Sequence, residues 1–237
     1  MATATKTKRK SKTKAPTVSI VISTFSGANG IKFKTPRIGP IDKYIPITDE
    51  DYILDYGTPL RDAAAKFIGN LEALRKPGTV VIGCLADESL SMSGNEHAVI
   101  DGLNEFVDGM KDVEVDPDSN GKVLCVIFTD GQELHSTEVS SSELSNIITN
   151  KEDEGWTFIY LGANQDAWLT GASYGLSGTA RGQTVNFVAN SRGTTSALRY
   201  AGAQATSYLS SQESYSNLAS ENSVGTITET GEWEGKK

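Results

Sequence analysis

The sequence predicts an α/β protein with a mostly parallel central sheet and helices on both faces. Three runs, 80–86, 122–128 and 156–162, are almost continuously apolar, which is typical of strands that are buried on both sides. Stretches with helical periodicity separate these runs, and this alternation of strand and helix indicates parallel strands between two helical layers. The chain has 237 residues, of which 38% are hydrophobic, enough to bury the core of one domain.

The first part of the domain is expected to contain a hairpin and an irregular crossing. Residues 17–25 are rich in β-branched side chains, and the alternating stretch 30–34 follows after a short Gly/Asn turn. This pattern predicts two paired antiparallel strands. Residues 35–57 contain three prolines and Gly39, which break regular structure and predict an irregular surface segment.

Three helices are predicted between residue 60 and residue 150. Apolar residues recur at helical spacing over 60–74 until Lys76-Pro77-Gly78 ends the pattern. A second helix carries apolar residues from Val99 to Met110 on one face, and a polar helix covers roughly 140–150. Ser93-Gly94-Asn95-Glu96 matches a capping box, which predicts that Ser93 caps the second helix.

The pattern weakens after residue 166. It predicts a helix around 167–175, a short strand at 184–188 and a helix at about 194–209. Residues 212–237 are polar with few apolar anchors and are expected to form a flexible tail. The domain itself is therefore expected to span residues 17–211.

The charge of the chain is distributed unevenly. Six basic residues fall within the first 14 positions, before any acidic residue. This arm, 1–16, is expected to be disordered and able to contact an anionic partner. The remaining 16 basic and 30 acidic residues give the rest of the chain a charge of −14, which argues against a phosphate-binding surface.

The sequence argues against a membrane span and against secretion, and it favours a cytoplasmic location. No run approaches the ~20 apolar residues that a membrane-crossing helix needs. No apolar region follows the basic amino terminus, so secretion through a signal peptide is not expected. Cys84 and Cys125 lie in strand-like runs, where we expect buried free thiols. Two cysteines are too few for a disulfide framework, which favours a reducing, cytoplasmic location.

Polar residues follow the apolar runs where each predicted strand ends. These are Asp87, Asp130 and the segment Asn164-Gln165-Asp166. Because ligands bind beyond the carboxyl ends of parallel strands, we expect these side chains at one rim of the sheet. The pattern Asp-x-Ser-x-Ser over 87–91 adds two small hydroxyls to the first carboxylate. Oxygen donors without a His or Cys cluster indicate a hard cation, Mg²⁺ first, with Mn²⁺ or Ca²⁺ as alternatives.

These motifs resemble the von Willebrand factor A (vWA) domain with its metal-ion-dependent adhesion site. The resemblance is carried by Asp87-Glu88-Ser89-Leu90-Ser91, by Thr129-Asp130-Gly131, and by GWTFIYLGANQDA at 155–167. The last segment is similar to small stand-alone bacterial and phage members. The resemblance implies a Rossmann-like vWA fold. It further implies direct ligation by Ser89 and Ser91, and ligation by Asp87 and Asp130 directly or through water.

The threonine of the family's site is displaced in chain order. Family members place it between the first loop and the later aspartate, but residues 92–128 contain no Thr. The stretch 56–63 resembles the threonine loop, which suggests Thr58 as a ligand and an exchanged order of the blocks 18–76 and 79–111. Thr58 could instead cap the helix, with Pro59 at the first helical position.

Two further features of the sequence bear on the predicted site. Leu90 stands where the family usually has Gly. Asn164, Gln165 and Asp166 belong either to the rim of the site or to a helix cap.

The function favoured by the sequence is a non-enzymatic module in which Mg²⁺ captures an acidic residue of a protein partner. The resemblance implies the open coordination position that this capture needs. A metal-dependent hydrolase would need a positioned base beyond the metal ligands, and the sequence has no Walker-type phosphate loop. The alternative is a structural component of a phage virion or another assembly that uses the fold as a scaffold. The basic arm, the polar tail and the phage-like segment fit that alternative, which would place the protein in the virion.

Overall fold

A central eight-stranded sheet with helices against both faces forms the body of the molecule. The computed structural model describes residues 14–26, 30–55, 57–88, 92, 94–130, 136–163, 182–210, 224–228, 230 and 232–235. Within these residues the predicted fold class is confirmed, an α/β protein with a mostly parallel sheet, and the arrangement is compatible with a Rossmann-like fold.

The described strands, numbered in chain order, belong to two sheets. The large sheet has the order β10-β9-β8-β7-β6-β5-β1-β3, and the small sheet pairs β2 with β4. In the large sheet only the two outermost strands, β3 and β10, pair with their neighbours in the antiparallel sense. The strands are β1 (Thr17–Phe25), β2 (Gly30–Phe33), β3 (Arg37–Pro40), β4 (Tyr52–Asp55), β5 (Thr79–Asp87), β6 (Val123–Thr129), β7 (Thr157–Ala163), β8 (Gly182–Phe187), β9 (Val224–Ile227) and β10 (Trp233–Gly235).

The described α-helices cover both faces of this sheet. They are α1 (Leu60–Leu74), α2 (Glu96–Asp108), α3 (Ser141–Asp153) and α4 (Ser191–Ser210), with short 3-10 turns at Ile41–Lys43, Asp49–Asp51 and Pro117–Ser119. Helix α3 begins with a capping box, in which Ser140 accepts from the Glu143 N–H and Glu143 accepts from the Ser140 N–H. None of the four helices combines the length and the apolar composition that crossing a bilayer requires.

The core is divided into two layers by the alternation of side chains along the strands. In β5, Ile82 and Cys84 pack with α2 and α4, whereas Val81 and Leu85 pack with α1 and α3. All nine residues of β5 are buried, which explains its almost continuous apolar sequence. Asp87, at the end of this strand, falls on the α1 and α3 side of the alternation.

Two successive crossovers between neighbouring parallel strands, β5–α2–β6 and β6–α3–β7, have opposite hands. From β1 through β5 to β9 the parallel strands lie side by side in chain order, but α1 and α3 cover one face and α2 and α4 the other. Two crossovers that step in the same direction over opposite faces must have opposite hands. Either β5–α2–β6 or β6–α3–β7 is therefore left-handed, which is rare among parallel crossovers.

Two predictions for the first part of the chain are wrong. Strand β1 does not form a hairpin with 30–34, because β2 pairs with β4, while β1 pairs with β3 and with β5. The Phe33 N–H donates to the Thr24 hydroxyl at 2.6 Å, so a side chain replaces the expected ladder bond. Residues 35–57 contain β3 and β4 rather than an irregular crossing, and Pro40 is tolerated because it ends an edge strand.

The predicted cap of α2 and the predicted flexible tail are also wrong. The helix begins at Glu96 with Asn95 at the N-cap, because Gly94, at a φ of 89°, interrupts the turn that Ser93 would have to cap. The tail carries β9 and β10, and Ile227 is buried in the core. Too few apolar residues surround Ile227 in the sequence to predict a strand there. The helix predicted at 167–175 lies outside the described residues.

The two cysteines occupy the places predicted for them. Cys84 and Cys125 are free and buried on neighbouring strands, and burial raises the pKa of both thiols well above the usual range. They act as small apolar groups of the core.

Candidate functional site

The carboxyl ends of β1 and β5 lie level with each other, and they bring Thr58 to the same rim. In the parallel register Phe25 is opposite Asp87. The next residue, Glu88, donates its N–H to the Phe25 carbonyl at 2.9 Å, and the Thr58 N–H donates to the Ser26 carbonyl at 2.8 Å. The backbone of Thr58 is thus fixed to the end of the strand that neighbours the Asp87 loop, although 29 positions separate the two residues in the chain.

Asp87 is buried and held by a hydrogen bond from the neighbouring strand. Its side chain is 4% exposed, and its Oδ2 accepts from the Thr129 hydroxyl at 2.8 Å. Thr129 is itself 1% exposed and ends β6. Because Ala86 and Phe128 are register partners, Asp87 and Thr129 are adjacent and point to the same side of the sheet. Asp130 follows directly and is half-buried.

Glu88, the residue after Asp87, carries a second buried carboxyl group at this end of β5. The residue is 2% exposed, and its Oε1 accepts from the Tyr52 hydroxyl at 2.6 Å, whereas its Oε2 has no hydrogen-bond partner among the residues that the structure describes. Burial is the main cause that raises the pKa of Glu88 to about 8. The hydrogen bond from Tyr52 lowers this pKa, and the charges of Asp87, Glu96 and Asp130 raise it further.

The amino terminus of α2 also lies at this rim. Glu96 is the first helical residue, and its carboxylate accepts from the Gly94 N–H at 2.8 Å. The helix dipole favours negative charge at this end and offsets part of the repulsion among the carboxylates.

The structure brings together part of the predicted site. Asp87 and Thr58 are tied to the ends of β5 and β1, and Asp130 follows β6 at the same edge. The alternative in which Thr58 caps α1 is wrong, because the helix begins at Leu60 and Pro59 occupies the N-cap position without a side-chain cap. The other candidates, Ser89, Ser91, Asn164, Gln165 and Asp166, lie outside the described residues and stay predictions.

The side chains at this rim carry oxygen atoms of the kind that hard divalent cations prefer, in the carboxylates of Asp87 and Asp130. Among the described residues no three His, Cys, Asp or Glu side chains form a group that could hold a metal ion. The hydroxyls of Ser89 and Ser91 would therefore be needed to complete the coordination.

Three contributing residues were not recognised in the sequence. Thr129 could have been found from strand alternation, because it ends a strand next to the one that ends in Asp87. Glu88 is adjacent to Asp87, but its burial could not be read from the sequence. Nothing in the sequence points to Tyr52, which lies 36 positions away and meets Glu88 only through the fold.

The sequence-based expectation of an Mg²⁺ site at Asp87 predicts that Thr129→Val weakens Mg²⁺ binding by about tenfold, since a residue that orients a metal ligand commonly contributes about 10–100-fold to affinity. Thr79→Val is the matched control, because Thr79 is buried at the amino end of β5 and donates to the Lys76 carbonyl at 2.7 Å. Calorimetric titration should show weakened binding only in Thr129→Val. Equal affinity in both variants would contradict an orienting role for Thr129.

No match to this chain was found among models of protein families, among curated proteins or among solved structures. The family resemblance of the motifs therefore stays a prediction, and a function for this chain must be inferred from its own residues.

Proposed function

We propose that the chain is a non-enzymatic binding module that holds Mg²⁺, or Mn²⁺ or Ca²⁺ in its place, and captures an acidic residue of a protein partner. The observation that carries the proposal is the buried carboxylate of Asp87. It lies at the end of a parallel strand, oriented by Thr129 and followed on the next strand by Asp130. A carboxylate oriented in this way at the end of a parallel strand is the kind of oxygen ligand that a hard divalent cation prefers.

The remaining donors are inferred from residues close to Asp87 in the sequence and in the fold. Ser89 and Ser91 follow Asp87 in the sequence, and the backbone of Thr58 is held at the end of the neighbouring strand. Mg²⁺ prefers six oxygen ligands and commonly keeps several waters. An Asp or Glu of a partner would replace one of those waters, which makes recognition depend on the ion.

The charge of the body makes this dependence testable. A charge of −14 outside the basic arm repels an acidic partner at long range, and salt screens that repulsion. Attraction then comes from the cation at short range and from contacts around the rim. We expect capture to tolerate added salt but not removal of the ion.

A metal-dependent hydrolase is the second candidate, and the raised pKa of Glu88 is the observation that favours it. A carboxyl group that titrates near neutral pH could act as a general base. Its Oε1 is held by Tyr52, however, and its side chain is 2% exposed. A substrate would have to reach a group enclosed on all sides, so binding is the better-supported function.

The test is capture of partner proteins by the immobilised full chain in Mg²⁺ and in EDTA, compared with Ser89→Ala and with the control Ser145→Ala on α3. We expect the same bound proteins with the wild-type chain and with Ser145→Ala in Mg²⁺, and none in EDTA or with Ser89→Ala. In parallel, p-nitrophenyl phosphate and nucleotides should show no turnover above background.

Two outcomes would contradict the proposal. Mg²⁺-dependent turnover that disappears in Asp87→Ala would favour the hydrolase. Capture that persists in EDTA would favour the scaffold of a virion or another assembly, in which the ion only orders loops.

A further inference from the structure

The outer edge of β3 is an open end of the large sheet. β3 is the last strand in the sheet order, and among the described strands only β1 pairs with it. In an antiparallel pair, every second residue directs its backbone N–H and C=O away from the neighbouring strand. Such an edge pairs readily with another extended chain. Pro40 removes one donor from this edge, and only at the end of the strand.

A cavity of about 300 Å³ lies along the β3 edge. Ile20 of β1 contributes to its lining together with Ile38 and Ile45. Ile38 is 52% exposed and Ile45 is 68% exposed, so two large apolar side chains face solvent at one cavity. Exposed apolar groups that cluster at a concave surface commonly mark a site where another molecule binds.

The side of the cavity formed by Tyr44 and Ile45 is held in place by hydrogen bonds. Arg37 Nε donates to the Ile45 carbonyl at 3.2 Å, and its Nη2 donates to the Asp51 carboxylate at 2.6 Å. The Tyr44 hydroxyl donates to Asn104 on α2 at 2.7 Å. The cavity is therefore formed before anything binds, which lowers the entropic cost of binding.

The charge around the cavity indicates the chemistry of a partner. Residues 30–45 contain four basic residues and one acidic residue, a net charge of +3, although the chain outside the amino-terminal arm carries −14. Arg37 is neutralised by Asp51. Lys34 and Lys43 form no ion pair with the described residues, and Lys43 lines the cavity. Two unpaired cations at an apolar cavity complement an apolar side chain that has acidic neighbours.

We propose that the β3 edge binds an extended acidic segment of a protein partner, which adds to the sheet as a further strand and places an apolar side chain against Ile38 and Ile45. The backbone of β3 supplies the hydrogen bonds, the cavity selects the apolar residue, and Lys34 and Lys43 attract its acidic neighbours. The proposed cation site uses none of these residues, so binding at this edge needs no metal ion. Added salt weakens it, because the attracting charges are exposed. Two β3 edges of separate copies would instead bring like charges together.

The probe is a phage-displayed library of random peptides, selected on the immobilised full chain in EDTA and depleted of peptides that also bind Ile45→Asp. We expect enrichment of peptides in which Asp or Glu flanks an apolar residue. The most enriched peptide is then synthesised and titrated against the chain by fluorescence anisotropy. A selection without enrichment, or with enrichment of basic or uncharged peptides only, overturns the proposal.

Substitutions at the cavity test its apolar lining and its charge separately. We expect Ile45→Asp to weaken peptide binding at least about tenfold, and Lys43→Glu to weaken it about tenfold and to reduce its dependence on salt. The matched controls are Leu54→Asp, 67% exposed on β4, and Lys66→Glu, exposed on α1, and both should bind as the wild-type chain does. All four side chains lie at the surface, so thermal unfolding should be unchanged. Equal affinity in Ile45→Asp and Leu54→Asp overturns the role of the cavity.

Methylation of the peptide backbone distinguishes strand addition from apolar contact alone. In an added strand, the N–H groups of alternate peptide residues donate to β3. We expect N-methylation at alternate positions to abolish binding and N-methylation at the positions between them to preserve it. Equal effects at neighbouring positions overturn the added strand.

The remaining outcomes separate this inference from other occupants and from the proposed function. Association of the chain with itself in sedimentation, lost in Ile45→Asp, would make a second copy the occupant and overturn the acidic partner. Because the peptide is selected and titrated in EDTA, failure of the cation site does not affect this test. In the capture of partner proteins, material that stays bound in EDTA but is lost in Ile45→Asp belongs to the β3 edge. Material that stays bound to both still counts against the cation site.

Discussion

Asp87→Asn is expected to weaken Mg²⁺ binding at least about 100-fold, equivalent to about 2.7 kcal/mol. The asparagine keeps the size of the side chain and still offers an oxygen to the Thr129 hydroxyl, which donates to Oδ2 at 2.8 Å in the native chain. The substitution removes the negative charge and replaces one acceptor oxygen with an amide N–H2 donor. Because the substitution also removes the charge of Asp87, which raises the pKa of Glu88, the variant should unfold in EDTA at the same temperature as the wild type or slightly above it.

The matched control is Asp116→Asn. Asp116 is 6% exposed and accepts from the Asp118 N–H at 2.9 Å. It precedes β6 in the chain and therefore lies near the amino ends of the strands, away from Asp87. Asparagine is an equally good cap, so its fold should be preserved. Isothermal titration with Mg²⁺ should give wild-type affinity for Asp116→Asn. If Asp87→Asn binds as tightly as this control, the ion does not lie at the end of β5.

Gly193→Ala is expected to destabilise the fold by about 3 kcal/mol, the upper end of the range for overpacking. A Cβ at this position would lie 2.1 Å from the carbonyl oxygen of Val188, a backbone atom that cannot rotate away. The Gly193 N–H also donates to the Asn190 side chain at 2.8 Å, so the turn between β8 and α4 would have to open. In a chain of this length the midpoint of thermal unfolding should fall by about 6–12 °C.

Gly69→Ala is the control for this substitution. Gly69 lies in the middle of α1, and a Cβ there would meet no atom within 4 Å. Alanine should stabilise the helix by about 0.5–1 kcal/mol, because it loses less backbone entropy on folding. Thermal unfolding of the two variants should therefore move in opposite directions. A Gly193→Ala variant as stable as the wild type would show that α4 does not approach Val188 as described.

The buried parallel strands could be predicted because each is apolar almost throughout, and β5, β6 and β7 were found at nearly their true bounds. Strand pairing could not be predicted. β1 and β2 are close in sequence, but the Phe33 N–H donates to the side chain of Thr24 and not to the backbone of β1. Strand β9 was missed for a different reason. It contributes one described buried residue, Ile227, which gives no periodicity from which a strand could be recognised.

The candidate site could likewise be predicted only where local sequence patterns determine where a residue lies. Asp87 and Asp130 could be placed at one rim because chain order fixes where parallel strands end. Thr58 was placed there only by resemblance, and the hydrogen bond of its N–H to Ser26 could not be read from spacing. The contact between Tyr52 and Glu88 depends on how the small sheet packs, which no local pattern encodes.

The most direct test of the cation site is anomalous diffraction from crystals of the full chain grown with Mn²⁺. We expect a strong anomalous peak at the carboxyl ends of β5 and β6, bounded by Asp87 and Asp130 and surrounded by oxygen ligands. The same peak should be absent from crystals of Asp87→Asn. Crystals that contain Mn²⁺ elsewhere, such as at the exposed carboxylates of Glu72 and Glu154, but none at this rim would contradict the account.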